Sequence, residues 1–228
     1  MDFSPEQIRW ILIGLFVLVI SVALHEFGHA YMADRLGDDT PRRQGRVTLN
    51  PIAHADPIGT LLLPVLGGIY GAAGGGGGGF GWGKPVQWQP HRIRRGIKMS
   101  TANILVSIAG PGMNLVLATV IALVHTILLW RGVVTVGDEA HKILRYSATT
   151  NLLLFFFNLL PVPPLDGGHV AQAFTPTRHQ RSFENYAKFG PFIILGIMLI
   201  PQLRWLFLTP ALWCTDRLYA GLGALFGI

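Results

Sequence analysis

Cysteine is nearly absent from this chain: Cys214 is the only one in 228 residues, which excludes an internal disulfide and a cysteine-rich metal site. A metal bound here would have to use nitrogen and oxygen ligands. Charge is scarce as well. Only 13% of the residues are Asp, Glu, Lys or Arg while half are hydrophobic, a balance that points to an integral membrane protein. Acidic residues are the rarer sign, 12 against 18 Lys and Arg, and the net charge of +6 is accounted for by anionic lipid headgroups and topology, with no nucleic-acid partner. No small-residue cleavage site interrupts the first apolar run, so that run is expected to stay in the mature protein. The length suits one helical domain, residues 1–228, with no room for a large soluble module beside the spans.

What the chain has in quantity is apolar sequence in stretches near the ~20 residues that cross a hydrocarbon core. A first span is predicted at about residues 8 to 34. A second runs from about 102 to 130, interrupted by Gly110-Pro111-Gly112, and a third from about 147 to 165. A fourth covers about 189 to 208. The stretch 210 to 228 is a candidate fifth, although Asp216 and Arg217 count against it. Residues 35 to 100 hold nine of the eighteen Lys and Arg, which places this region in the cytoplasm and the N-terminus outside. Within it, Pro57 to Gly83 is apolar and includes six consecutive glycines, Gly74 to Gly79. With basic clusters on both flanks it reads as a re-entrant or surface-lying segment in preference to a span. The glycine run reads as a flexible connection, because the lysine and serine of a phosphate loop are missing. Gln44 to Leu49 alternates apolar and polar residues, a short strand signal whose alternative is a plain loop. The fold class expected is an all-α polytopic membrane protein with a short β-strand or re-entrant region between its first two core spans.

The chemistry is concentrated in His25-Glu26-Phe27-Gly28-His29, at the end of the first apolar run. Two histidines four residues apart lie one turn above the other on the same helix face and can share one metal ion, with Glu26 beside it. With 8 His and 4 Glu in the chain, random placement yields this pattern roughly 0.005 times, so a zinc site within the bilayer is the reading. A second constellation, Asn158-Leu-Leu-Pro161-Val-Pro-Pro164-Leu-Asp166-Gly167-Gly168, places a carboxylate beside prolines that prevent a regular helix. An ionised Asp near hydrocarbon needs a cation, roughly 3 kcal/mol being at stake on insertion scales. Zinc held by His25 and His29 would supply it. Two histidines and one carboxylate leave a fourth position open for water, as catalytic zinc sites do. The alternative for Asp166 is a helix cap next to glycines.

These motifs resemble the site-2 protease family of intramembrane zinc metalloproteases. The resemblance rests on H-E-F-G-H, on G-P-x-x-N at Gly110, Pro111 and Asn114, and on N-x-x-P-x-x-P-x-D-G-G from Asn158 to Gly168. It extends to the stretch Arg46 to Pro57 and to Gly81-Trp82-Gly83-Lys84-Pro85, covering roughly residues 15 to 170. It implies a three-helix catalytic core, about 8 to 170, followed by C-terminal spans at about 189 to 228. It also implies one Zn2+ per chain held by His25, His29 and Asp166, with Glu26 as catalytic base. The active site would face the cytoplasmic side of the cell membrane, and the substrates would be membrane-spanning proteins. Only about sixteen residues separate the second and third core spans, so the chain resembles a compact member without a PDZ-like insertion.

On that resemblance Asn158 occupies a position that donates to the tetrahedral oxygen of acyl transfer, its alternative being a polar contact between helices. His54 is a candidate transition-state or supporting contact, its alternative being a structural histidine. His125, inside an apolar span, reads as a packed or lipid-edge histidine. A substrate helix has its carbonyls tied up and must unwind before attack, and residues 44 to 49 could pair with the unwound strand. The rival readings are an intramembrane zinc-binding or transport protein and a catalytically inactive relative serving as a membrane scaffold. Glu26 beside the histidines favours hydrolysis over both.

Overall fold

A computed structural model describes residues 3–72 and 81–228; the glycine run Gly74 to Gly79 lies outside the described residues. Helix α1, Pro5–Leu36, starts where Ser4 and Gln7 cap each other: the Ser4 hydroxyl accepts from the Gln7 N–H at 3.2 Å and the Gln7 side chain accepts from the Ser4 N–H at 2.8 Å. It ends at Gly37, whose φ of 113° lets its N–H return to the Asp34 carbonyl. At 32 residues it is about 48 Å long. After the short α2, Thr40–Arg43, and a turn at Pro51–Ala53, a wide helical turn at Pro57–Leu62 leads into α3, Leu63–Tyr70. Helix α4, Met99–Trp130, matches α1 in length. It is followed by α5, Glu139–Asn158; α6, Asp166–Phe174; α7, Gln180–Leu199; and α8, Trp205–Phe226.

Helix α4 is the hub, packing against α1, α5, α6 and α8. Its sequence explains why. Ala102, Val106, Gly110, Asn114, Ala118, Ala122 and Thr126 recur every fourth position and are all buried, a stripe of mostly small side chains that lets neighbouring backbones approach closely. The α1 face opposite supplies Gly28, where an added Cβ would lie 2.5 Å from the Ala109 carbonyl oxygen. Further along, Ala118 packs with Leu152 of α5 and Ala211 of α8. A second cluster joins Phe157, Val162, Ile194, Ile197 and Phe207. The large apolar side chains point the other way: Leu12 and Phe16 on α1, and Leu115, Val116, Val120 and Val124 on α4, are exposed. Small residues inside and bulky apolar ones outside is the arrangement of a chain dissolved in lipid. Helices α1 and α4 are long and apolar enough to cross a membrane.

Several boundaries differ from the sequence-based expectation. Gly110-Pro111-Gly112 does not interrupt α4, which runs through Pro111 because the surrounding helices hold it. The third segment ends at Asn158, before the prolines, which form the turn leading to α6. The stretch 189 to 208 is two helices, since Pro201 lacks an N–H and its ring stops α7 at Leu199. Residues 210 to 228 fall within and just beyond α8. Among the described residues there is no β-strand, and 44 to 49 form a turn and bends. The alternation there misleads because Arg46, expected on a polar face, turns inward. Its guanidinium is buried and donates to the carbonyls of Ala53, Lys84 (2.8 Å) and Pro85 (3.1 Å). Those bonds dock the irregular stretch 81–89 against the turns after α2. Pro57–Tyr70 is an apolar helical stretch of fourteen residues, about 21 Å long and shorter than the ~30 Å hydrocarbon core.

Candidate active site

One turn of α1 places His25 above His29, and each ring is fixed through its Nδ1 by a group that can only accept. His29 Nδ1 lies 2.7 Å from the Val106 carbonyl oxygen, and His25 Nδ1 lies 2.8 Å from Oδ1 of Asn114. The Asn114 amide is oriented by its own bonds: Nδ2 donates to the Ser21 carbonyl at 3.1 Å and to Asn151 Oδ1 at 2.9 Å. Asn151 Nδ2 in turn donates to the Ser147 carbonyl at 3.0 Å. Both Nδ1 atoms therefore carry hydrogen, and in the neutral rings both Nε2 atoms present their lone pairs inward, 3.0 Å apart.

Asp166 arrives from the opposite side, on the first turn of α6. Gly167 permits the approach: a Cβ there would lie 2.2 Å from the Leu159 carbonyl oxygen, so only glycine lets the proline-rich turn fold onto α6. The Asp166 oxygens sit 3.1 Å from His25 Nε2 and 3.4 Å from His29 Nε2. Two lone pairs and a carboxylate converging in a nearly buried space repel one another unless positive charge lies among them. Zinc bonds of about 2.0–2.1 Å in a tetrahedron separate ligand atoms by roughly 3.3 Å, and all three donors here lie within 4.8 Å of one another. Space for an ion is kept by Gly110, where a Cβ would stand 2.2 Å from His29 Nε2 and 2.8 Å from His25 Nε2. The donor set and the cradle both fit zinc.

Glu26 is buried on the neighbouring face of α1, against the backbone of Gly83, where a Cβ would come 3.0 Å from Glu26 Oε1. His54 is fully buried. Burial, reinforced by the Arg46 charge and opposed by the bond to Thr48, holds it below the ordinary imidazole value. It is thus a neutral ring at pH 7, and its Nε2–H donates to the Thr48 carbonyl at 2.9 Å. Its Nδ1 is buried and has no hydrogen-bond partner among the described residues. Asn158 uses Nδ2 on its own helix, donating to the Leu154 carbonyl at 2.9 Å. Among the described residues, no hydrogen bond joins His54 or Asn158 to the His25–His29–Asp166 trio or to Glu26. Asn114, noted in the sequence only as a motif letter, and Asn151, not noted at all, are the groups that orient His25. Their signal was available: an asparagine in an apolar span needs a partner.

Known proteins resemble this chain. Residues 127–201, a stretch that includes Asp166, match the sequence signature of peptidase family M50. The chain is 35% identical over 187 residues to YwhC of Bacillus subtilis (strain 168), provisionally named a zinc metalloprotease, covering 81% of this chain and 78% of that protein. It is 36% identical over 205 residues to Rip2 of Mycolicibacterium smegmatis, covering 86% and 72%. It is 33% identical over 217 residues to Rip2 of Mycobacterium tuberculosis (strain H37Rv), covering 89% and 74%. Both Rip2 proteins carry the same provisional name. No solved structure matches the chain.

Proposed function

Since the chain belongs to peptidase family M50, the site-2 proteases, we propose that it hydrolyses peptide bonds of membrane-spanning proteins at the His25–His29–Asp166 centre, with Glu26 as general base. The observation that carries this reading is the pair of inward-facing Nε2 lone pairs closed by a carboxylate, with a second carboxylate one residue along the same helix. His25, His29 and Asp166 would hold the zinc, which would supply Lewis acidity, lowering the pKa of bound water toward ~7 and polarising a carbonyl. Glu26 takes the proton of the attacking water and passes it to the leaving amine. The Asn114–Asn151 relay and the Val106 carbonyl hold the histidine rings in the ligating tautomer.

A substrate helix has to unwind to present its carbonyl. The segment 81–89, whose Gly83 lies against Glu26, offers in place of 44–49 a surface along which such a strand would lie. His54, with its unpartnered Nδ1, and Asn158 remain candidates for contact with the bound peptide. Arg35, Arg42, Arg43, Arg92, Arg94 and Lys98 gather where α1 ends and α4 begins, which supports a site on the cytoplasmic side.

The test is cleavage of a panel of labelled single-span peptides by purified, zinc-loaded protein, beside Glu26→Gln. The variant should retain one zinc per chain and lose cleavage by roughly 10²–10⁴-fold or more. Equal cutting by both proteins would remove Glu26 and the proposed centre from the reaction.

A further inference from the structure

Helices α4 and α6 carry polar side chains away from the metal group in step. On α4, Gly110 abuts the histidines and Val106 holds His29; Asn103 and Met99 follow on the same face at spacings of three and four. On α6, Asp166 is followed at the same spacings by His169 and Ala173, with Gln172 alongside. The two helices pack together. Where these faces diverge, a cleft of about 320 Å3 opens, walled by Trp88 and Met99 and lined by Asn103, His169, Gln172 and Gln180.

Two features identify its occupant. No Asp, Glu, Lys or Arg lines the cleft, which argues against a phosphate or a charged headgroup. The side chains of Asn103, His169 and Gln172 make no hydrogen bond within the described structure, whereas Gln180 spends only its Nε2, on the Thr175 carbonyl at 2.8 Å. Neutral amides whose donors and acceptors are open to solvent, set between an indole and a thioether, suit a peptide backbone flanked by an apolar side chain. Seven residues of helix separate Gly110 from Asn103, about 10 Å, the reach of about three residues of extended chain.

Building on the reading of the chain as a protease, we propose that this cleft is a peptide subsite. It takes the extended substrate about three residues to the cytoplasmic side of the scissile bond, Asn103 and Gln172 bonding its backbone while Trp88 and Met99 pack an apolar side chain.

The experiment uses the zinc-loaded Glu26→Gln protein and fluorescein-labelled peptides with a span of about twenty apolar residues. One form ends at the span. Two others add about five residues containing phenylalanine at the third, at either end. Anisotropy should show a tailed peptide binding about tenfold more tightly than the untailed one, as a few new hydrogen bonds and a buried ring imply. Asn103→Leu with Gln172→Leu, checked by unchanged zinc content, should bring that ratio close to one. N-methylation of the tail amide at the third residue should do the same with no change to the protein. A ratio of one for both tails in the parent protein, or a ratio untouched by the variant and by N-methylation, overturns the subsite. Wild-type protein that binds a tailed peptide without cutting it overturns the protease reading instead, so the two failures are separate.

Discussion

Among the described residues histidines meet in two pairs, His25 with His29 and His125 with His141, and the pairs are wired in opposite ways. In the second half of α1, His25 and His29 turn their Nδ1 hydrogens outward to acceptors, so that in the neutral rings two Nε2 lone pairs face each other at 3.0 Å with the Asp166 carboxylate against them. Towards the far end of α4, His125 is fully buried but complete. Its Nε2 meets His141 Nδ1 at 3.2 Å, and its Nδ1 meets the Tyr219 hydroxyl at 2.9 Å. Each of those contacts can be a donor with an acceptor, so nothing further is required. What marks a metal centre is therefore not buried histidine but histidine whose hydrogens have been committed elsewhere. The structure accordingly assigns His125 a packing role, in line with its position inside an apolar run.

The sharpest way to break this contrast is to remove one member of each pair. His29→Ala should drop bound zinc from one per chain to near none and cleavage to background, while His125→Phe should keep its zinc and lose only about 1–3 kcal/mol of stability. Comparable zinc loss in both would mean that the pairs are not different in kind. Gly110→Ala probes the space and leaves the ligands in place. Its methyl would stand where the two Nε2 atoms converge, so metal analysis should show zinc largely lost with helix content unchanged by circular dichroism.

Asn114→Leu acts one bond further out, freeing the His25 ring, and should weaken zinc affinity by roughly 10–100-fold in a chelator competition. An affinity within twofold of wild type would show that the asparagine relay is packing alone. The smallest effect concerns Asp38, buried just beyond α1. Burial pushes its carboxyl up, but hydrogen bonds from Thr40 and the Gln89 N–H, helped by the Arg92 charge, hold it below the ordinary aspartate value. A depressed folded-state pKa stabilises in full above the unfolded value of about 3.9 and is lost as pH falls through the lower one. Protease nicking within 84–95 should thus rise below about pH 4 in wild type, whereas Asp38→Asn should be nicked there already at neutral pH. An unchanged nicking profile in Asp38→Asn would remove the role given to this carboxylate.

Much of this was legible in the chain because it is settled within one helix. The i, i+4 spacing of His25 and His29 needs only helical geometry, and apolar run lengths disclosed α1 and α4. The pairing of both histidines with Asp166, 137 or more positions away, was inferred from the penalty of a bare carboxylate in hydrocarbon and from the family resemblance; its geometry came only with α6. Tertiary packing alone decided the rest. Pro111 signals a break in any isolated helix, yet α4 passes through it because four neighbouring helices clamp it. Arg46 belongs by alternation on a polar face, but carbonyls from 53, 84 and 85 draw it inward. Asn114 and Asn151 reveal their role only when α1, α4 and α5 meet, since a hydrogen-bond relay is a property of neighbours in space and leaves no period along the chain.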